Sequence, residues 1–151
     1  MSYTGGCQCG NIRFEISQEP IVVYTCHCTI CQKQASSAFG ISVWFNRSQF
    51  NLVAGELKFW ITKADSGNDK ICAFCSECGN RIYHAESHDS NILSLKGGAL
   101  DDMKDLKPAG HIFTRSALSW SIPQNENQLV YETEPESFRE LIEQYEKNLG
   151  S

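Results

Sequence analysis

Short apolar or alternating runs dominate the chain: Ile12–Ile16, Ile21–Thr25, Ile41–Phe45, Leu57–Ile61, Ile71–Phe74, Ile92–Leu95 and His111–Arg115. Turn residues bound them, among them Ser66-Gly67-Asn68-Asp69 and Gly97-Gly98. Runs this short between turn signals predict a mainly β fold with mostly antiparallel pairing. The period changes only near the end. Phe138, Leu141, Ile142 and Tyr145 recur at helical spacing, and Thr133 with Glu136 has the spacing of a capping box. That stripe is expected to pack on the sheet. A second, shorter helix is expected from Ile30 to Ala35, with Thr29 and Gln32 at capping-box spacing and Cys31 in its first turn. No repeat, low-complexity tract or linker interrupts the pattern. At 151 residues, the whole of 1–151 is expected to form a single domain.

Composition narrows the function classes. Apolar residues make up 41% and charged residues 21%, the balance of a folded chain. A net charge of −5, with Lys and Arg scattered from Arg13 to Lys147, argues against an electrostatic grip on nucleic acid. The opening MSYTGGCQCG lacks the basic and apolar parts of a signal peptide, and no apolar run is long enough to cross a membrane. A cytoplasmic setting is therefore expected.

Eight cysteines then demand an account. Seven fall as Cys7-x-Cys9, Cys26-x-Cys28-x-x-Cys31 and Cys75-x-x-Cys78, and Cys72 extends the last group. Close pairs put two thiolates on one tetrahedral ion, so the clustering favours metal over disulfides or inert thiols. Spacing alone leaves the pairing open. Glycine follows Cys9 and Cys78, at Gly10 and Gly79, where a turn around a metal often needs positive φ. Joining those two pairs gives a closed four-thiolate site. It leaves Cys26, Cys28 and Cys31 without an obvious fourth partner, and an open position distinguishes catalytic from structural zinc.

The residues TGGCQCGNIRFEI, CHCTICQKQASSAFG and FCSECGNRIY, followed by His111-Ile112-Phe113 and Trp120, closely resemble the glutathione-dependent formaldehyde-activating enzyme family. The resemblance runs in order from about Tyr3 to Tyr131. It implies a β-tent, zinc-binding fold with two zinc ions: a structural one on Cys7, Cys9, Cys75 and Cys78, and a second, catalytic one on Cys26, Cys28 and Cys31. It also implies a reaction, the joining of glutathione and formaldehyde as S-(hydroxymethyl)glutathione, formally a carbon–sulfur lyase run backwards. The expected partners are a small thiol such as glutathione and a small aldehyde, with neither nucleic acid nor membrane. The alternative is a non-catalytic binding module that zinc merely stabilises.

Other side chains carry two readings each. Cys72 departs from the family pattern and is expected to be a packed or partly exposed thiol. His27, between two cysteines, should point away from their metal; it either orients the loop or is simply packed. His111 is a proton relay or, more simply, a satisfied structural residue. His84 and His88 are expected on the surface or in loops. Phe39, Trp44, Trp60 and Trp120 either wall an open site or belong to the core. Lys33 and Arg115 either meet substrate carboxylates or are solvated. Three thiolates already outweigh the charge of a zinc ion, so holding a sulfur nucleophile is the more credible role than polarising a carbonyl.

Overall fold

The computed structural model describes residues 2–64, 67–122 and 125–150. In chain order the elements are β1 (Tyr3–Gly6), β2 (Arg13–Ile16), β3 (Val22–Cys26), α1 (Thr29–Ala35), β4 (Gly40–Asn46), β5 (Phe50–Ala54) and β6 (Leu57–Lys63). They continue with β7 (Asp69–Cys75), β8 (Arg81–Ala85), β9 (Ile92–Lys96), β10 (Gly110–Ile112), β11 (Leu129–Val130) and α2 (Arg139–Leu149). The chain is mainly β, with a short helix at the middle cysteines and a helix near the end. Two compact units share it: Met1–Pro20 with Trp44–Met103, and Ile21–Val43 with Lys104–Ser151.

The first unit holds an antiparallel sheet of order β1-β2-β5 and the strand series β9-β8-β7-β6. In β2 the two-residue period is plain: Phe14 and Ile16 are buried while Glu15 between them is exposed. Each such side chain contributes about 1.5–3 kcal/mol on burial. In the second series Ile71, Ala73, Tyr83, Ala85, Leu93 and Leu95 are buried. The register puts Trp60, Cys72, His84 and Ser94 in one row on the other face.

Arg13 in β2 forms a two-pronged ion pair with Asp101, whose carboxylate also accepts from Thr4 Oγ1 at 2.7 Å. The Arg13 hydrogen bonds, then Thr4, hold the Asp101 carboxyl down at about 2. Its contribution is therefore complete above the ordinary carboxylate pKa and fades as pH falls from about 4 towards 2. Both side chains are partly exposed, so solvent screens the pair and the effect is small. Asp101→Asn should make the melting temperature less sensitive to acid in that window. An identical acid limb in both proteins would reject the assignment.

The second unit has the order β11-β10-β3-β4, the last strand contributing its first residues. Here β10 runs parallel to both β3 and β11, with His111 beside Thr25 and Ile112 beside Cys26. These parallel pairs depart from the antiparallel expectation. Every residue of β3 is buried, as a central parallel strand requires. Helix α2 packs on β3 through buried Leu141 and Tyr145, and the Phe138 ring lies 5.4 Å from Tyr24.

Some boundaries move. The run His111–Arg115 is strand only to Ile112; Phe113 turns left-handed (φ 55°) and a 3-10 turn follows at Thr114–Ser116. Thr133 and Glu136 do not cap α2. Its first backbone N–H, from Arg139, instead meets Ser137 Oγ at 3.1 Å. The Ser66–Asp69 turn falls partly outside the described residues.

Candidate metal centres

The two cysteine-glycine turns are built alike. Cys7 N–H donates to Ile12 O at 3.1 Å, and Gly10 N–H returns to Cys7 O at 3.1 Å. Cys75 N–H donates to Asn80 O at 2.9 Å, and Gly79 N–H returns to Cys75 O at 2.9 Å. Gly10 (φ 83°) and Gly79 (φ 77°) both take the left-handed region, and a Cβ on either would meet nothing within 4 Å. Backbone conformation, not space, is the reason for glycine there. Gly79→Ala should cost about 1–2 kcal/mol, read as a lowered melting temperature. An unchanged melt would show that the turn tolerates a side chain.

The turns bring the sulfurs of Cys7, Cys9, Cys75 and Cys78 within 4.8 Å of one another. Cys7 and Cys9 are 3.5 Å apart and Cys9 and Cys75 3.8 Å. Zinc–sulfur bonds of about 2.3 Å in a tetrahedron set sulfurs about 3.8 Å apart. Backbone amides already point at the sulfurs, Ile12 N–H at Cys7 (3.2 Å) and Glu77 N–H at Cys75 (3.4 Å). Asn80, which sequence reasoning missed, joins the turns: its Oδ1 accepts from Gln8 N–H at 3.0 Å.

Charge within the cluster is shared unevenly. Burial opposes ionisation of Cys7, yet the Ile12 amide and the neighbouring sulfurs bring it down to about 6. At Cys9 the Asn11 amide favours the thiolate, but the Cys7 sulfur, then desolvation, push it up to about 12. The Asn80 amide lowers Cys78. Thiolates this close repel one another, and a cation among them offsets that repulsion. The donors fit zinc.

In the second unit Cys26, Cys28 and Cys31 also bring their sulfurs within 4.8 Å. Cys26 ends β3 and Cys28 is the N-cap of α1, its sulfur accepting the Cys31 N–H at 3.3 Å. Cysteine thus takes the cap expected of Thr29. The Cys26 and Cys31 side chains draw the Cys28 thiol down to about 2, while Cys28, then Cys31, push Cys26 far up. This three-sulfur set, too, has donors suited to a soft cation. Gln32 is not a capping-box residue; its amide donates to His27 O (2.8 Å) and Ser116 O (2.9 Å), tying α1 to the 3-10 turn that carries Arg115. Lys33 and Arg115 are both exposed.

A buried polar chain backs this cluster. Gln128 Nε2 donates to Pro108 O at 3.2 Å, so its Oε1 accepts from His111 Nε2–H at 3.0 Å. His111 Nδ1 must then accept from the Thr25 hydroxyl (2.5 Å), and Thr25 Oγ1 accepts from His27 Nε2–H at 3.0 Å. Both ring nitrogens of His111 are satisfied. His27 Nδ1 is left as a buried lone pair with no partner, its ring 5.0 Å from Phe39. Thr25 and Gln128 gave no motif by which the sequence would reveal them.

The sequence profile of the family described as glutathione-dependent formaldehyde-activating enzyme matches residues 2–116. The chain belongs to that family. A crystal structure of a Rhodobacter sphaeroides protein shares the fold, with a TM-score of 0.50 at 18% identity over 70% of this chain and 92% of that one. For a formaldehyde-activating family member, the two sulfur clusters are the features to explain. Cys72 joins neither; it is buried on β7. His88 is exposed, whereas His84 departs from the surface expectation: it sits half-buried in β8, its Nδ1 2.8 Å from Lys96 Nζ. Trp120 is 76% exposed and belongs to no core.

Proposed function

We propose that this chain is a zinc-dependent carbon–sulfur lyase-type enzyme that forms and breaks the adduct of glutathione, or a similar thiol, with formaldehyde or another small aldehyde. In this reading residues 1–151 are one domain of the family. Cys7, Cys9, Cys75 and Cys78 hold a structural zinc, and Cys26, Cys28 and Cys31 a second. The observation that carries it is the three-sulfur cluster around the N-cap of α1, in a chain of this family. A zinc ion bound there would lower the pKa of a substrate thiol and keep its sulfur ionised at neutral pH. The reaction itself balances simply. The thiol sulfur bonds to the carbonyl carbon, the carbon–oxygen π bond opens, and the thiol proton ends on the new hydroxyl; the reverse restores both reactants.

The chain's own residues would position the reactants. The Cys28 cap and the Gln32 bridge fix the loop that presents the sulfurs. Thr25, His111 and Gln128 are read as positioning residues that hold the His27 ring in one tautomer and orientation. Lys33 and Arg115, exposed on linked segments, suit the carboxylates of glutathione. Exchange NMR of glutathione with formaldehyde tests the reading. The protein should raise the rate of adduct formation and breakdown above the spontaneous one. A rate unchanged by zinc-loaded protein would reject catalysis and favour a zinc-stabilised binding module.

A further inference from the structure

Away from both sulfur clusters, the His84 face of β6–β9 carries two buried polar atoms without a partner, on Arg81 and Ser94. Lys96 Nζ, a donor only, lies 2.8 Å from His84 Nδ1, so that nitrogen accepts and the ring proton sits on Nε2. Ser94, opposite His84 and only 6% exposed, has a buried hydroxyl with no partner. The Arg81 guanidinium lies 5.5 Å from the centre of the Trp60 ring, and its Nη1 is buried and unpartnered.

The charged side chains that the strand register puts on this face are all basic. Lys58, Lys70, Arg81 and Lys96 fall on it by register, and Lys70, Arg81 and Lys96 all act on His84, which burial, then these cations, keep neutral. The one acidic residue in the four strands, Asp69, pairs with Lys63 on the opposite face. Buried donors left unpaired are destabilising, so the pair at Arg81 Nη1 and Ser94 Oγ suits an incoming acceptor. In a chain of net charge −5 this concentration is not a general surface property.

We propose that Arg81, His84 and Ser94, with Lys70 and Lys96 around them, form a binding site for a small oxyanion, a carboxylate or a phosphate group. Arg81 Nη1, His84 Nε2–H and Ser94 Oγ–H donate to its oxygens. The indole of Trp60, already under Arg81, flanks the site and suits a flat or apolar part of the same ligand.

The test uses the zinc-loaded full chain and two probes, inorganic phosphate and acetate, each matched in ionic strength with sodium chloride. NMR should show saturable shifts of the Trp60 indole N–H and the Arg81 Nε–H with at least one probe, and the preferred probe identifies the anion class. Arg81→Gln should weaken binding roughly tenfold or more, as loss of a charged hydrogen bond implies. Ser94→Ala should weaken it severalfold, and Lys63→Gln, on the other face, should leave it unchanged. If Arg81→Gln fails to fold, Ser94→Ala decides the matter. Shifts that do not saturate with either probe, or affinities unchanged by Ser94→Ala, overturn the site. No thiol or aldehyde is present, so failure here leaves the adduct chemistry standing.

Discussion

Cys75→Ser should yield a protein that is largely insoluble or unfolded. A zinc ion on the four sulfurs would tie the Cys7–Cys9 turn to the Cys75–Cys78 turn and close a long stretch of chain. Binding of a structural zinc supplies about 10–16 kcal/mol in small zinc domains. That is comparable to the whole stability of an ordinary domain, about 5–15 kcal/mol. The remaining thiols would also be left facing one another: the sulfur of Cys7 already pushes Cys9 up to about 12 after the opposing Asn11 amide. Circular dichroism and metal analysis check the prediction. A Cys75→Ser protein with normal metal content and melting would remove the structural role from this cluster.

Cys28→Ser should do nearly the reverse. All three sulfurs of its cluster lie on one short segment, so a metal there closes only a small loop and adds little to the fold. The variant should therefore melt within a few degrees of the wild type and retain one zinc per chain in place of two. Its acceleration of adduct exchange should fall at least about 100-fold, since even loss of outer supporting groups costs about 10–100-fold at metal sites. Serine can still accept the Cys31 N–H, which keeps the cap and makes the substitution a clean removal of sulfur. Loss of both metals and of the fold in one step would contradict separate roles for the two clusters.

Those contrasting expectations rest on features the sequence displays unequally. Cysteine grouping was legible because metal ligands come as close pairs, and the glycines after Cys9 and Cys78 mark turns whose φ is indeed positive. Strands such as β3 and β4 were legible from their apolar residues. β5 and β8 were not: nearly all of β5 is exposed, and β8 (RIYHA) mixes charge with core positions. Parallel pairing of β10 with β3 joins residues far apart in the chain, which no local period encodes. The cap at Cys28 escaped notice because Thr29 is the more usual cap residue. The line from His27 to Gln128 is likewise visible only once the strands are placed.

The open three-sulfur site is the central claim, and cobalt substitution tests it most directly. With cobalt in place of zinc, glutathione added at neutral pH should change the ligand-field and sulfur charge-transfer bands, as a further thiolate enters. Cys28→Ser should lose that response while keeping the bands of the Cys7, Cys9, Cys75 and Cys78 cluster. A wild-type cobalt spectrum untouched by glutathione and by other small thiols would contradict the account.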